Sequence, residues 1–110
     1  MFVAKVTGSV VSTTKSETMR GHKLLMVEPY RLDPQSRQQL VTTGRTFVAV
    51  DTLGAGLGDF VLITQGSSAR FTPETSQLPI DCVVIGIVDS AHVEKYCVYT
   101  RQAENTPSCN

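Results

Sequence analysis

Tryptophan is absent, and aromatic residues of every kind make up only 6% of the 110 residues. Single strands of nucleic acid are held by stacking bases on aromatic side chains, so such a binder has little material here. Surplus charge is missing too, because ten Lys plus Arg balance ten Asp plus Glu. With no excess of cations, neither phosphate backbones nor anionic lipid surfaces exert a general attraction. No apolar run approaches the roughly 20 residues that a membrane-spanning helix needs. The opening MFVAKVTGSVV alternates polar and apolar residues instead of building an apolar signal segment, so a cytoplasmic protein is expected. Cysteines are few: Cys82, Cys97 and Cys109 form an odd set without metal-type spacing and are expected as reduced thiols. His22 and His92 add too few ligands for a zinc site, so no metal and no cofactor are expected.

What the chain does contain is an ordinary globular balance, 41% hydrophobic and 18% charged, at a length that suits one domain. Residues 2–11 alternate, with Phe2, Ala4, Val6, Gly8 and Val10 on one side and Lys5, Thr7 and Ser9 on the other. That is the period of a half-buried strand. STTKSETMRGH follows as a loop, and KLLMVE at 23–28 reads as the second strand, ended or marked as an edge by Pro29. RLDPQSRQQLVTTG at 31–44 reads as a long hairpin connection with a helical turn. TFVAVD at 46–51, DFVLITQ at 59–65 and IDCVVIGIVD at 80–89 supply three more strands. Five short runs rich in Val, Ile and Phe, punctuated by Gly and Pro, predict an all-β barrel or sandwich.

The fourth and fifth runs are apolar on both faces. Phe60 and Leu62 oppose Val61 and Ile63, and Val83, Ile85 and Ile87 are expected to oppose Cys82, Val84 and Val88. A single-layer barrel buries one face of each strand, so the second face calls for a cover. No helix is foreseen to supply it, and another subunit is expected instead.

Candidate chemistry is weak at each place it could arise. GAGLGD at 54–59 resembles a phosphate-binding loop, but it lacks the dinucleotide spacing and leads into a strand rather than a helix N-terminus. Its glycines are better explained by a tight crossing with positive φ. GSSAR at 66–70 sets Ser67 and Ser68 beside Arg70 without the second glycine of a nucleophile elbow. A small enzyme using that loop is therefore a poor rival. Asp51, Asp59, Asp81 and Asp89 stand at strand ends, where turn residues belong. Lys15 and Arg20 read as solvated loop cations.

Four segments, in order, resemble the EutN/CcmL family of pentameric vertex proteins of bacterial microcompartment shells. They are AKVTGSVVSTTK at 4–15, MRGHKLLMVEP at 19–29, FVAVDTLGAGLGDFVLITQGSSAR at 47–70 and PIDCVVIGIVD at 79–89. The resemblance implies a small five-stranded barrel similar to an oligonucleotide-binding fold, with short helical turns, assembled as a cyclic pentamer and without catalysis. It implies a shell domain over 1–89 and a partly disordered tail over 90–110, for which the family pattern offers no counterpart. It implies hexagonal shell proteins as partners, a place in the shell and neither nucleic acid nor membrane as ligand. Gly54, Gly56 and Gly58, with Ser67, Ser68 and Arg70, match two family loops expected at subunit contacts or the ring axis, and Lys15 matches an exposed position. EPYRLDPQ is nearer the members from catabolic, aldehyde-processing compartments. The alternative suggested by the barrel topology, a nucleic-acid-binding module, meets the shortage of cations and aromatics already described.

Overall fold

The computed structural model describes residues 1–11, 23–66 and 81–101. Eight strands occur there: β1 (Phe2–Val10), β2 (Lys23–Leu32), β3 (Leu40–Thr42), β4 (Phe47–Asp51), β5 (Phe60–Gln65), β6 (Cys82–Ile87), β7 (Ser90–Val93) and β8 (Tyr96–Thr100). The hydrogen-bonded order β1-β5-β6-β4-β2 is closed by a further β1–β2 pairing. Closure leaves those five strands without a free edge. All the barrel pairs are antiparallel except β4–β6, which is parallel through Val50↔Val83 and Asp51↔Val84. This is the Greek-key course of an oligonucleotide-binding barrel. The five expected strands are these five.

Inward residues fill the barrel. Ala4, Val6, Leu25, Val27, Ala49, Val61, Ile63, Cys82 and Val84 are buried together, with Phe2, Phe47 and Ile87 packed at the margins. Two bulges re-aim the alternation. In β1 the register jumps between Val6 and Gly8, so Val6 pairs with Val27 but Gly8 with Met26. Thr7 is the extra residue, and Gly8 and Val10 leave the face shared by Ala4 and Val6. A Cβ on Gly8 would sit 3.9 Å from the Met26 sulfur, on the outer surface. In β6 the residues paired with Leu62 and Ile63 are Gly86 and Val84, so Ile85 is the extra one. Ile87 therefore points inward with Val84, not outward with Val83 as strict alternation requires. An inserted residue reverses the faces beyond it, and nothing in the side-chain pattern announces it.

Pro29 does not end β2. It lies between the β4 pairing, which stops at Val27, and the β3 pairing, which starts at Tyr30. Only its carbonyl is called upon there, accepting from the Thr43 N–H at 3.1 Å and the Thr43 hydroxyl at 2.9 Å. The 31–44 connection is a hairpin extension in which Asp33 closes the turn. Its Oδ1 accepts the Gln35 N–H at 2.9 Å, and its N–H donates to the Gln39 carbonyl at 2.9 Å. Hydrogen bonds donated to the carboxylate, first by the Gln35 backbone and then by the Gln39 side chain at 3.2 Å, hold the Asp33 carboxyl below its usual range.

The strands β7 and β8 form an antiparallel hairpin over part of the 90–110 segment. It packs on the outside of the barrel, where the Tyr99 ring lies 4.3 Å from that of Phe60, itself 5.0 Å from Tyr30 in an edge-on contact. Burial pushes the Tyr99 phenol upward, partly offset by a hydrogen bond from the Phe60 backbone. The outer face of β5 is thus covered in part by the chain itself, which corrects the expectation that a second subunit must supply all of that cover. Of the three cysteines expected as reduced thiols, Cys82 is free and buried, and Cys109 lies outside the described residues.

Candidate assembly surface

Between β4 and β5 the chain must turn at the end of the barrel, and the sequence assigns this to TLGAGLGD. The crossing is built on Asp51, the last residue of β4. Its side chain faces the barrel interior and is fully buried. Asp51 Oδ1 accepts the Leu53 N–H at 2.9 Å and Oδ2 accepts the Ala55 N–H at 2.8 Å. The Lys23 ammonium, reaching over from β2, donates to the Ala55 carbonyl at 2.7 Å and stands 3.7 Å from Asp51 Oδ2. A buried carboxylate is tolerated only when its lone pairs are met, and here the loop meets them.

The far side of the loop is held by Asp59. Its Oδ2 accepts the Gly56 N–H at 2.9 Å, and its own N–H donates to the Gly56 carbonyl at 3.0 Å. The loop is then stitched to β1, with the Gly58 N–H on the Val6 carbonyl at 2.9 Å and the Val6 N–H on the Asp59 carbonyl at 2.8 Å. Arg101, just past β8, lies 3.6 Å from Asp59 and 3.9 Å from Asp89, joining loop and hairpin. These are partly exposed pairs and contribute little to stability on their own.

This arrangement disposes of a phosphate-binding role for the crossing. The amides of Leu53, Ala55, Gly56 and Gly58 are already committed to carboxylates and carbonyls of the same chain. Gly54 and Gly58 have φ of +88° and +89°, as the tight-crossing reading expects, while Gly56 needs no such freedom. A Cβ at Gly58 would meet nothing within 4 Å, so the strain of a left-handed backbone is the only cost of substitution. Gly58→Ala is expected to lower stability by about 1–2 kcal/mol. A thermal melt showing no change would contradict that backbone argument.

What the loop offers outward is apolar. Leu57 is 78% exposed and Leu53 50% exposed. On the barrel's outer surface Met26 and Val48 are direct cross-strand partners, 38% and 48% exposed. A groove of about 310 Å³ runs beneath the loop, bounded by Val6, Ser9, Lys23, Leu25 and Leu57. Among the described residues no group of histidine, cysteine and acidic side chains is placed to hold a metal ion. Phe2 and Phe47 pack against the core, and Phe60 packs against Tyr30 edge-on and against Tyr99. Those five rings are engaged in packing within the chain, whereas Tyr96 is 44% exposed.

Of the residues singled out from sequence, Gly54, Gly56 and Gly58 are brought into this one loop. Lys15, Ser67, Ser68 and Arg70 lie outside the described residues. Sequence reasoning missed Asp51 as the organiser of the crossing, having read it as a turn residue. The available signal was an aspartate three residues before the first glycine of a glycine-rich stretch, a spacing at which a carboxylate reaches forward to loop amides.

A closed Greek-key barrel, carrying a carboxylate-braced loop with apolar residues at its tip, is the class of molecule that this geometry defines. The particular family follows from comparison: the model described as ethanolamine utilisation protein EutN/carboxysome matches residues 1–89, and the chain belongs to that EutN/CcmL family. The bacterial microcompartment shell vertex protein GrpN of Rhodospirillum rubrum is 43% identical over 90 residues, spanning 82% of this chain and 94% of that protein. The carboxysome shell vertex protein CcmL of Synechococcus elongatus is 38% identical over 102 residues, spanning 93% and 97%. Among solved structures, CcmL of Gloeobacter violaceus superposes with a TM-score of 0.80 at 34% identity, covering 93% of this chain and 99% of that one. The structure described as the GrpN pentameric microcompartment shell protein superposes at 0.70 with 41% identity, covering 86% and 100%. A match over 102 of 110 residues must run past residue 89, so the CcmL relative pairs with part of the segment beyond the end of the family model.

Proposed function

We propose that this chain is a structural protein that closes into a ring of five and caps a corner of a bacterial microcompartment shell. The observation that carries this reading is its similarity, over the whole length of that relative, to a shell protein described as pentameric. A sheet of hexagonal units is flat and cannot close on itself without five-fold points. A head-to-tail contact repeated around an axis supplies one if it closes after five copies. The neighbours in this reading are hexagonal shell proteins, and the site of action is the shell within the cytoplasm. The relatives come from carboxysomes and from other microcompartments alike, so the EPYRLDPQ stretch does not decide between them.

Within the ring, the glycine crossing at Gly54, Gly56 and Gly58 is assigned to a subunit contact. Supporting this are its exposed leucines and the neutral overall charge, which sets no electrostatic barrier to self-association. Lys15, Ser67, Ser68 and Arg70 are assigned to the same rim or to the axis on family resemblance alone. The test is absolute mass in solution by light scattering after size exclusion. A species near 60 kDa, about five times the 12.0 kDa chain, is expected. A clean 12 kDa monomer at every concentration would remove the ring reading.

A further inference from the structure

We propose that Asp51 and Asp59 are positioning residues for the subunit contact, their carboxylates bracing the 52–59 loop so that Leu53 and Leu57 meet a neighbouring copy of this chain in a preset shape. The proposal rests on the ring reading above and deepens it.

The placement of Asp51 carries the argument. Its side chain is buried at the end of a strand whose other inward residues are apolar, Ala49 within the core and Phe47 packed against it. Nothing in the packing of the barrel asks for a carboxylate there, since an apolar side chain would fill that end without a charge to satisfy. Among the described residues, the partners of Asp51 are the Leu53 and Ala55 amides and the Lys23 ammonium. Lys23 in turn is bound to the Ala55 carbonyl of the same loop. Asp51 is therefore explained by the loop and not by the core. Asp59 repeats the device from the other side through the Gly56 amide. Both carboxylates stand where a bound anion would stand in a phosphate loop, which makes the loop self-sufficient.

A loop at the solvent end of a barrel ordinarily carries polar residues at its tip, yet this one leaves Leu57 and Leu53 exposed. Exposed leucines on a preformed element add no backbone ordering cost when covered, leaving only side-chain rotamer freedom to lose, and covering them removes apolar surface from water. A second copy of this chain is the occupant favoured by the neutral charge and by the relative described as pentameric. In a head-to-tail ring the loop of one copy meets a different patch of the next, so the leucines need no self-complementary mate.

The test compares the full chain with Leu57→Glu, Asp51→Asn and Asp59→Asn. It reads ring mass by light scattering across a dilution series and amide hydrogen exchange residue by residue. Leu57→Glu is expected to abolish the large species at concentrations where the parent keeps it. Asp51→Asn exchanges an acceptor pair for one acceptor and a misdirected donor. Exchange at Leu53 and Ala55 should then quicken about ten- to a hundredfold, and the concentration at which rings fall apart should rise at least about tenfold. Strand amides such as those of Val27 and Val61 should stay as slow as in the parent.

If the parent itself shows no ring, the ring reading has failed before the brace is reached. If the ring survives Leu57→Glu, the loop is not the contact and this proposal falls. Should Leu57→Glu break the ring while both Asp→Asn variants keep it with unchanged loop exchange, the brace alone is refuted. Equal acceleration of loop and strand amides would reduce Asp51 to a general stabiliser and also refute it. Should Asp51→Asn fail to fold, Asp59→Asn, on the more accessible carboxylate, decides by the same two readouts at Gly56.

Discussion

Truncating Ile63 to alanine is expected to cost the barrel about 2–5 kcal/mol, a large share of the 5–15 kcal/mol typical of a whole domain. Ile63 is completely buried and is the largest such side chain in the described interior. It lies on β5, with closed pairings to β1 on one side and β6 on the other. A closed barrel cannot slide a strand inward to fill a void without breaking ladder hydrogen bonds, so relaxation is limited and the loss should fall toward the upper half of that range. The measurement is the midpoint of urea unfolding with the slope unchanged. A loss under about 1 kcal/mol would mean that the interior collapses readily, against the packing described. Val48→Ala is the comparison: Val48 is 48% exposed, and its truncation should stay within about 0.5 kcal/mol of the isolated chain's stability.

Stability should also depend on protein concentration. If five copies unfold as they separate, mass action ties apparent stability to the amount of free chain. Each tenfold dilution should then remove about 1 kcal/mol per protomer, roughly four-fifths of the 1.4 kcal/mol that a tenfold change represents. Over a hundredfold dilution that is about 2 kcal/mol, visible as a fall of several degrees in Tm for a chain of this size. A Tm that does not move would mean that the chain unfolds without dissociating or was never associated. Repeating the series with Leu57→Glu separates those two meanings, because a variant that is monomeric throughout should show a lower and flat Tm.

How much of this was legible beforehand differs from residue to residue. Every barrel strand announced itself by a short run of Val, Ile or Phe between glycines and prolines, and the order of those runs matched the family. The faces were legible only up to the bulges. Ala4 and Val6 were assigned correctly with one another, but Gly8 and Val10 were not, because the pattern TGSVV looks the same with or without an unpaired Thr7. Strict alternation puts Ile87 on the wrong face for the same reason, two residues past the inserted Ile85. A bulge is decided by how the partner strand's hydrogen bonds line up, and that partner is distant in sequence. The hairpin over residues 90–101 was hidden because short, partly polar strands have little intrinsic signal. An aromatic contact between Tyr99 and Phe60 and the pairing of Arg101 with Asp59 tie it to the barrel, and both partners lie before β6 in the chain.

Local physics is strong enough to write strands and turns into the chain. Alternation with period two, glycines where φ must be positive at Gly54 and Gly58, and a neutral charge can all be read without knowing a single long-range contact. Which strands become neighbours, where the ladder slips by a residue, and which aspartate turns inward to tie a loop are settled elsewhere. Those depend on groups that meet only after the barrel closes, such as Lys23 with Ala55 and Val6 with Gly58. A carboxylate looks the same in sequence whether it ends a strand in water or is buried beneath a loop, because only the folded chain determines whether water or amides will satisfy it.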